Sequence, residues 1–290
     1  MNLSDSRDFS QKFLFQERPI RGQFVRLTDT YERILSGKHY PPNIRTFLGE
    51  ALACTALIHG LFKNTGKISL QFQGTGPLTL LSIHGELSHL RGLVQYSKEL
   101  AQAELSLLSA LQEGQLQLTF DFGENARHQS VIEVLSPRMK ENIEHYFAQS
   151  EQTKTYLSIA VSNVSVTGCL IQRLPSAEEG ADEAWNDAVI RASTLSDEEL
   201  LTLPTHTLLS RLYPEDTLEL FAPEAIEFHC PCTKSRMEKA LIFMGKKEVT
   251  EILEKDEHVE VTCEFCGGSH SFDSRDIGRI FSNATNQIST

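Results

Sequence analysis

The sequence has no long apolar run and no apolar segment near its start. The longest mostly apolar stretch covers residues 51–62 and includes Thr55 and His59, so it is too short and too polar to span a bilayer. The opening residues, MNLSDSRDFSQKF, have no hydrophobic region of the kind found in secretory signals. We therefore expect a cytoplasmic protein that does not work in a membrane.

The sequence also lacks the motifs of common active sites. It has no HExxH motif, no paired-carboxylate motif and no Ser, His and Asp arrangement suited to nucleophilic catalysis. The glycine-rich turn at residues 74–77 is not a phosphate loop, because Pro77 removes a backbone N–H and no Gly-Lys-Ser/Thr ending follows. We expect no enzymatic activity.

Basic residues are scarce in one segment. The formal net charge is −12, from 39 acidic and 27 basic side chains. Residues 176–225 carry 12 acidic and 2 basic side chains, whereas residues 1–175 carry 16 and 17. An acidic chain without a basic patch repels nucleic-acid phosphates, so a nucleic-acid partner is not expected.

Alternating apolar residues predict a largely antiparallel sheet with packed helices over residues 1–175, an α+β domain. The predicted strands cover residues 23–27, 67–72, 78–84, 89–96, 115–120, 130–134, 156–162 and 164–172. The predicted helices begin at residue 28 or cover residues 43–62, 105–111 and 137–150.

Residues 176–226 predict short, acidic, amphipathic helices that form a linker. Two pairs have capping-box spacing, Ser176 with Glu179 and Ser196 with Glu199. Helices of this length are marginal alone and need a surface to pack on. The segment is either an ordinary helical linker or one that changes between docked and undocked states.

Cysteine is scarce, and four of the six cysteines lie in the last 61 residues. They form the pairs Cys230-Pro231-Cys232 and Cys263-Glu264-Phe265-Cys266. Two close pairs of this kind are typical of a tetrahedral Zn²⁺ site, since residues i and i+2 of an extended chain point the same way. We predict that the four sulfurs bind one Zn²⁺ and that residues 227–290 form a small zinc-binding domain that depends on the metal.

The same cysteines permit redox chemistry. Cys230 and Cys232 are close enough in sequence to form a local disulfide, at the expense of backbone distortion. A cysteine in a disulfide is no longer a thiolate ligand, so oxidation would release the metal. Cys54 and Cys169 stand apart in apolar segments and are predicted to be small core residues.

Four stretches of the chain resemble the heat-shock protein 33 family of redox-regulated holdase chaperones. FHCPCTKSRMEKALIFMGKKEVTEIL and HVEVTCEFCGGSHSF resemble the zinc-binding end of that family, and GTGPLTLL and GCLIQRLP resemble parts of its first domain. Length and the three-part order also fit, so the resemblance covers essentially the whole chain. It divides the chain into an N-terminal core domain at 1–175, a metastable helical linker at 176–226 and a zinc redox-switch domain at 227–290.

The resemblance implies how such a protein works. Cys230, Cys232, Cys263 and Cys266 would bind Zn²⁺ in a reduced, inactive monomer. Peroxide or hypochlorous acid would form disulfides between near neighbours, Cys230 with Cys232 and Cys263 with Cys266. Zinc would leave, the C-terminal domain and linker would unfold, and the dimerised protein would protect unfolding client proteins from aggregation without ATP.

Reduction would then return those clients to the ATP-dependent heat-shock chaperone machinery, as the resemblance implies. Lys234 departs from some relatives, which have a small residue beside the first cysteine pair, and this leaves the oxidant threshold open. Two alternatives remain: a nucleic-acid-binding module with a C-terminal zinc ribbon, and a metalloenzyme. The acidic character of the C-terminal segment argues against the first, and a closed shell of four cysteines argues against the second.

Overall fold

The computed structural model describes residues 7–62, 66–102, 107–123, 126–177 and 179–288. The chain forms two compact units, Met1–His229 and Cys230–Thr290. The predicted α+β class with largely antiparallel sheets and packed helices is confirmed. Within the part of the chain just given, no helix is long and apolar enough to cross a membrane.

Sheet A of the first unit has six strands in the order β10-β1-β2-β9-β8, with β11 also paired to β1. The strands are β1 (Phe9–Phe15), β2 (Ile20–Leu27), β8 (Thr155–Val161), β9 (Val166–Arg173), β10 (Leu218–Leu220) and β11 (Glu224–Ala225). Every pairing in this sheet is antiparallel. Strands β1, β10 and β11 were not predicted from the sequence.

Sheet B also has six strands, in the order β12-β5-β4-β3-β6-β7. The strands are β3 (Lys67–Gly74), β4 (Leu78–Glu86), β5 (His89–Tyr96), β6 (Gly114–Asp121), β7 (Arg127–Ile132) and β12 (Glu227–Phe228). All pairings are antiparallel except that of β12 with β5, which is parallel. The predicted strands of this sheet are therefore present, while β12 was not predicted.

One buried helix, α2 (Pro42–Leu61), packs against strands of both sheets and forms the centre of the inner core. Fourteen of its twenty residues are buried, so it is apolar almost all round rather than along one stripe, as expected for a core helix. Gly49 lets the side chains of Val161 and Val166 approach the helix backbone at distances that a Cβ would block. The other helices around this core are α1 (Asp29–Leu35), α3 (Lys98–Gln102), α4 (Leu107–Gln112) and α5 (Met139–Gln149); the predicted start of α4 at residue 105 falls outside the described residues.

Three helices cover the opposite face of sheet A: α6 (Ala181–Ser193), α7 (Asp197–Thr202) and α8 (Thr205–Leu212). The capping box of Ser196 and Glu199 is present at the start of α7. The start predicted at Ser176 is wrong: α6 begins after Gly180, whose φ of +86° suits glycine, and it has no side-chain cap. These helices form the outer cluster with sheet A, made of Phe13, Phe15, Ile20, Phe24, Ala160, Cys169, Ile171, Trp185, Ala188, Ala192, Leu200, Leu208, Leu209, Leu212 and Tyr213.

The second unit contains α9 (Lys234–Met244), α10 (Lys246–Leu253), the hairpin of β13 (Val259–Thr262) and β14 (Ser269–Phe272), and α11 (Ser274–Ile288). Its small core consists of Met237, Leu241, Val249, Val259, Phe272, Ile277 and Ile280.

Candidate metal centre

The first cysteine pair lies on an irregular segment that leads into α9. Cys230, Pro231 and Cys232 precede Thr233, whose hydroxyl accepts a hydrogen bond from the backbone N–H of Arg236 at 3.3 Å and caps the helix. Cys232 packs against the small core of the second unit. The helix cap and this packing together fix the position of the Cys232 thiol.

The second pair lies in the turn that joins β13 to β14. The N–H of Gly267 donates to the carbonyl of Cys263 at 2.7 Å, and the N–H of Cys263 donates to the carbonyl of Gly268 at 2.8 Å. Gly267 has a φ of +72°, which suits glycine. The N–H of Gly268 also points to the sulfur of Cys266 at 3.4 Å. This tight turn places both thiols on one side of the hairpin.

The four thiols converge on one point. Their sulfur atoms all lie within 4.8 Å of one another, and each residue is partly buried. Two close contacts cross between the pairs: Cys230 to Cys263 at 3.6 Å and Cys232 to Cys266 at 3.3 Å. Zn–S bonds of about 2.3 Å in a tetrahedron place sulfur atoms about 3.8 Å apart, so the arrangement fits a four-sulfur metal site.

The thiols influence one another's ionisation. Burial and hydrogen bonds to neighbouring thiols raise the pKa of Cys232 well above its usual value, and burial likewise raises the pKa of Cys263. Burial also acts to raise the pKa of Cys266, but hydrogen bonds from the Gly268 N–H and the other thiols outweigh it and lower that pKa. A cation among these sulfur atoms would favour their thiolate forms.

Comparison with known proteins now adds to this geometry. A family model described as Hsp33 protein matches residues 8–273. The chain belongs to the Hsp33 family. Among curated relatives, the 33 kDa chaperonin of Shewanella oneidensis is 35% identical over 281 residues, covering 97% of this chain and 98% of that protein. The 33 kDa chaperonin of Vibrio cholerae is 33% identical over 284 residues, covering 96% and 97%.

A solved structure agrees with this assignment at the level of the fold. The crystal structure of the 33 kDa chaperonin of Thermotoga maritima, an Hsp33 homologue, superposes with a TM-score of 0.80. The alignment covers 96% of this chain and 99% of that one, at 21% identity. The chain therefore has an Hsp33 fold.

Lys234 lies beside the first cysteine pair, and its ammonium contacts other groups of the second unit. Its Nζ lies 3.4 Å from the carboxylate of Asp276 and 5.2 Å from the centre of the Phe272 ring. Asp276 also accepts a hydrogen bond from Arg279, which reaches Glu238. Lys234 thus links α9 to α11 and to the hairpin in this member of the Hsp33 family.

The two isolated cysteines are buried in the first unit, as predicted. Cys54 lies in the inner core and Cys169 in the outer cluster. Burial raises the pKa of Cys169 to about 12 and that of Cys54 well above its usual value. Both thiols are therefore protonated at neutral pH and are poor nucleophiles.

The segment between α8 and Cys230 carries features that sequence reasoning missed. Its strands β10, β11 and β12 pair with β1 and β5, and the imidazole rings of His89 and His229 stack at 4.4 Å. Two- and three-residue strands have too little periodicity to be detected from sequence. The alternating apolar residues at positions 218 and 220 and at 226 and 228 are the signal in the sequence that could have indicated these strands.

Proposed function

We propose that this chain is a redox-regulated, ATP-independent holdase chaperone that is inactive when reduced and zinc-bound. The observation that carries the proposal is the convergence of four thiols from two distant turns, in a small unit of an Hsp33-family chain. The names of the relatives support chaperone activity toward unfolding proteins. The cysteine geometry supports a switch rather than an active site, since a four-sulfur shell leaves no open position for a substrate.

Cys230, Cys232, Cys263 and Cys266 would hold one Zn²⁺ ion per chain. When bound, the ion supplies the positive charge that the four thiolates require and joins the segment before α9 to the β13–β14 turn. Only seven buried apolar side chains form the core of this unit among the described residues. Structural zinc sites contribute roughly 10–16 kcal/mol of apparent folding free energy, so loss of the ligands would leave this unit unfolded.

Oxidation removes the ligands. Each disulfide forms as two thiols lose two protons and two electrons, which peroxide accepts as it is reduced to water. We propose the pairs Cys230–Cys232 and Cys263–Cys266, although close sulfur contacts also join Cys230 to Cys263 and Cys232 to Cys266. Disulfides across the pairs would close loops of more than thirty residues and stabilise the unit, whereas disulfides between near neighbours leave the two turns free to separate. Only disulfides between near neighbours would therefore allow oxidation to unfold the unit, as a switch requires.

The linker is the second part of the proposed switch. We place the functional boundaries at residues 1–175, 176–226 and 227–290. The linker helices cover the aromatic face of sheet A through Trp185 and Tyr213, and the Tyr213 hydroxyl donates to the carbonyl of Ala188 at 3.1 Å. Undocking of these helices would expose the side chains of Phe13 and Phe24, an apolar surface for clients.

The active form would be a cytoplasmic homodimer that holds unfolding client proteins during oxidative stress. Reduction would restore the zinc-bound monomer and pass clients to ATP-dependent heat-shock chaperones. The acidic linker helps to keep its own unfolded segment in solution, because its negative charges repel one another.

Zinc release and holdase activity, measured together, test the proposal. Peroxide or hypochlorous acid is added to the reduced full chain with a colorimetric zinc chelator present, while light scattering follows aggregation of a client protein. We expect one zinc per chain to leave as client aggregation falls, with both changes reversed by reductant and zinc. Retained zinc, or release without holdase activity, would show that the centre only stabilises the fold. Mass-spectrometric mapping of the disulfides decides the pairing.

A further inference from the structure

One short segment covers an edge of each large sheet. We call residues 217–229 the strap. Its strands β10 and β11 lie beside β1 at one edge of sheet A, and its strand β12 lies beside β5 at one edge of sheet B. Without the strap, β1 with seven residues and β5 with eight would be unpaired edge strands.

Backbone hydrogen bonds attach the strap to both edges. At β1, the N–H of Phe221 donates to the carbonyl of Lys12, and the N–H of Gln16 donates to the carbonyl of Thr217, both at 3.0 Å. At β5, the N–H of Glu227 donates to the carbonyl of Ser88 at 2.8 Å. The N–H of His229 donates to the carbonyl of Leu90 at 3.4 Å. Such contacts depend on an extended backbone and little on which side chains it carries.

The side chains of the strap follow an alternating pattern. Leu218 and Leu220 pack against the outer cluster, and Ile226 and Phe228 pack against the inner core. The acidic residues between and beside them face solvent: Glu219, Glu224 and Glu227. Each edge therefore accepts two apolar side chains at positions i and i+2 of an extended segment.

The strap is weakly held for a segment that covers two edges. Only seven of its residues lie in strands, and every residue of the strap remains at least partly exposed. Its last residue, His229, directly precedes the candidate metal ligand Cys230. Unfolding of the second unit would free this end of the strap.

We infer that the edges of β1 and β5 receive extended, apolar segments of client polypeptide as added strands once the strap has left. This inference rests on the proposed holdase function and names how its clients bind. An unfolding client offers unpaired backbone groups and alternating apolar residues, which is what the strap itself supplies at these two edges. Backbone pairing also explains how one site can hold clients of unrelated sequence, because the main chain is common to all of them.

The test uses the oxidised full chain and a fluorescein-labelled peptide with the strap sequence of residues 217–229. One variant peptide is N-methylated at Phe221 and Glu227, whose N–H groups donate to the edges. The matched control is N-methylated at Leu220 and Phe228, whose N–H groups point away from the edges because neighbouring residues alternate. All three peptides carry the same side chains.

We expect the unmodified peptide to bind the oxidised chain, measured by fluorescence anisotropy, and to displace client in a light-scattering assay. Methylation at Phe221 and Glu227 should weaken binding by about tenfold or more, since it removes two hydrogen bonds. The control methylation should change affinity less than about twofold. Binding to the reduced chain should be at least about tenfold weaker.

Other outcomes overturn the inference. Equal affinity of the two methylated peptides would show side-chain binding without strand addition. Equal affinity for the reduced and oxidised chains would show that the strap does not close the edges. Peptide that dissociates a dimer, measured by sedimentation, without displacing client would assign the edges to a second copy. If the oxidised chain without peptide fails to suppress aggregation, the proposed holdase function fails instead.

Discussion

The two compact units, Met1–His229 and Cys230–Thr290, bury apolar side chains on different scales. Among the described residues, the inner core contains 38 buried side chains around α2, whereas the core of the second unit contains seven. A domain the size of the first can be stable through burial alone, while a unit of about sixty residues needs a metal or another cross-link. The four thiols of the proposed switch therefore lie in the unit with the smaller apolar core.

Removal of one thiol is expected to have the largest effect. Cys263→Ser should unfold the second unit of the reduced protein, because it removes a proposed zinc ligand and structural zinc sites contribute roughly 10–16 kcal/mol of apparent folding free energy. Hydrogen exchange measured by mass spectrometry should show loss of protection over residues 246–272 with the first unit unchanged. The control Cys169→Ala removes a buried thiol of the outer cluster and should leave that protection intact. Full protection in Cys263→Ser would contradict a metal-dependent fold.

A substitution in the linker tests whether docking of its helices on sheet A contributes to the proposed inactive state. Trp185→Ala should weaken docking of α6 by about 3–5 kcal/mol, because Trp185 is buried in the outer cluster. Trypsin should then cut after Arg191 and Arg211 in the reduced, zinc-loaded protein. Ile190→Ala is the matched control, since Ile190 lies on the same helix and is 65% exposed. Equal cleavage of both variants would argue against docking through this cluster.

Truncation of a buried side chain in the core of the second unit should lower the affinity of the chain for zinc. Leu241 is 1% exposed, and Leu241→Ala should cost about 2–5 kcal/mol of folding free energy. Because metal binding and folding of this unit are coupled, zinc affinity should fall by at least about thirtyfold, measured by competition with a chelator.

Phe243→Ala serves as the control for this truncation, because Phe243 lies on the same helix and is 95% exposed. It should leave zinc affinity nearly unchanged. A similar loss in both variants would mean that burial in this core does not support the metal site.

The smallest effect is expected at Lys234. The Lys234 ammonium is partly exposed and contacts Asp276 and the Phe272 ring. Each of these contacts contributes about 1 kcal/mol or less to the stability of the second unit. Lys234→Gln should therefore lower zinc affinity by no more than about fivefold. Lys239→Gln, an exposed position on the same helix, controls for the loss of one charge. A large change in the oxidant concentration needed for zinc release, without a change in affinity, would instead assign Lys234 a role in thiolate reactivity.

The strands of sheet B could be predicted closely because each carries its own alternating pattern. The strand predicted at residues 89–96 coincides with β5, and the one at 115–120 lies within β6. By contrast, β1 and its partner β10 lie about two hundred residues apart in the chain, with Phe13 opposite Leu220. Such short strands exist only because a sheet edge pairs with them, so no local pattern reveals them.

The helix boundaries of the linker also include one that depends on local sequence and one that depends on tertiary contacts. The capping box at Ser196 and Glu199 is a local interaction and was predicted. The start of α6 depends on the left-handed backbone of Gly180 and on where Trp185 meets sheet A. The similar spacing of Ser176 and Glu179 was therefore misleading.

The candidate metal centre could likewise be predicted from the sequence only in part. Which four cysteines come together could be predicted, because two close pairs in a small unit have few alternatives. The contacts between the two pairs could not be predicted: the sulfur of Cys230 lies 3.6 Å from that of Cys263, and the sulfur of Cys232 lies 3.3 Å from that of Cys266. That arrangement depends on how the β13–β14 turn packs against the start of α9.

The sequence by itself determined the fold class, the acidic helical segment and the four-thiol cluster, because periodicity, charge and cysteine spacing are properties of neighbouring residues. Only the tertiary structure decided that Trp185 and Tyr213 cover the aromatic face of sheet A and that the strap closes two sheet edges. Those contacts join residues far apart in the chain. Their free energy comes from surfaces and backbone groups that exist only after the sheets have formed.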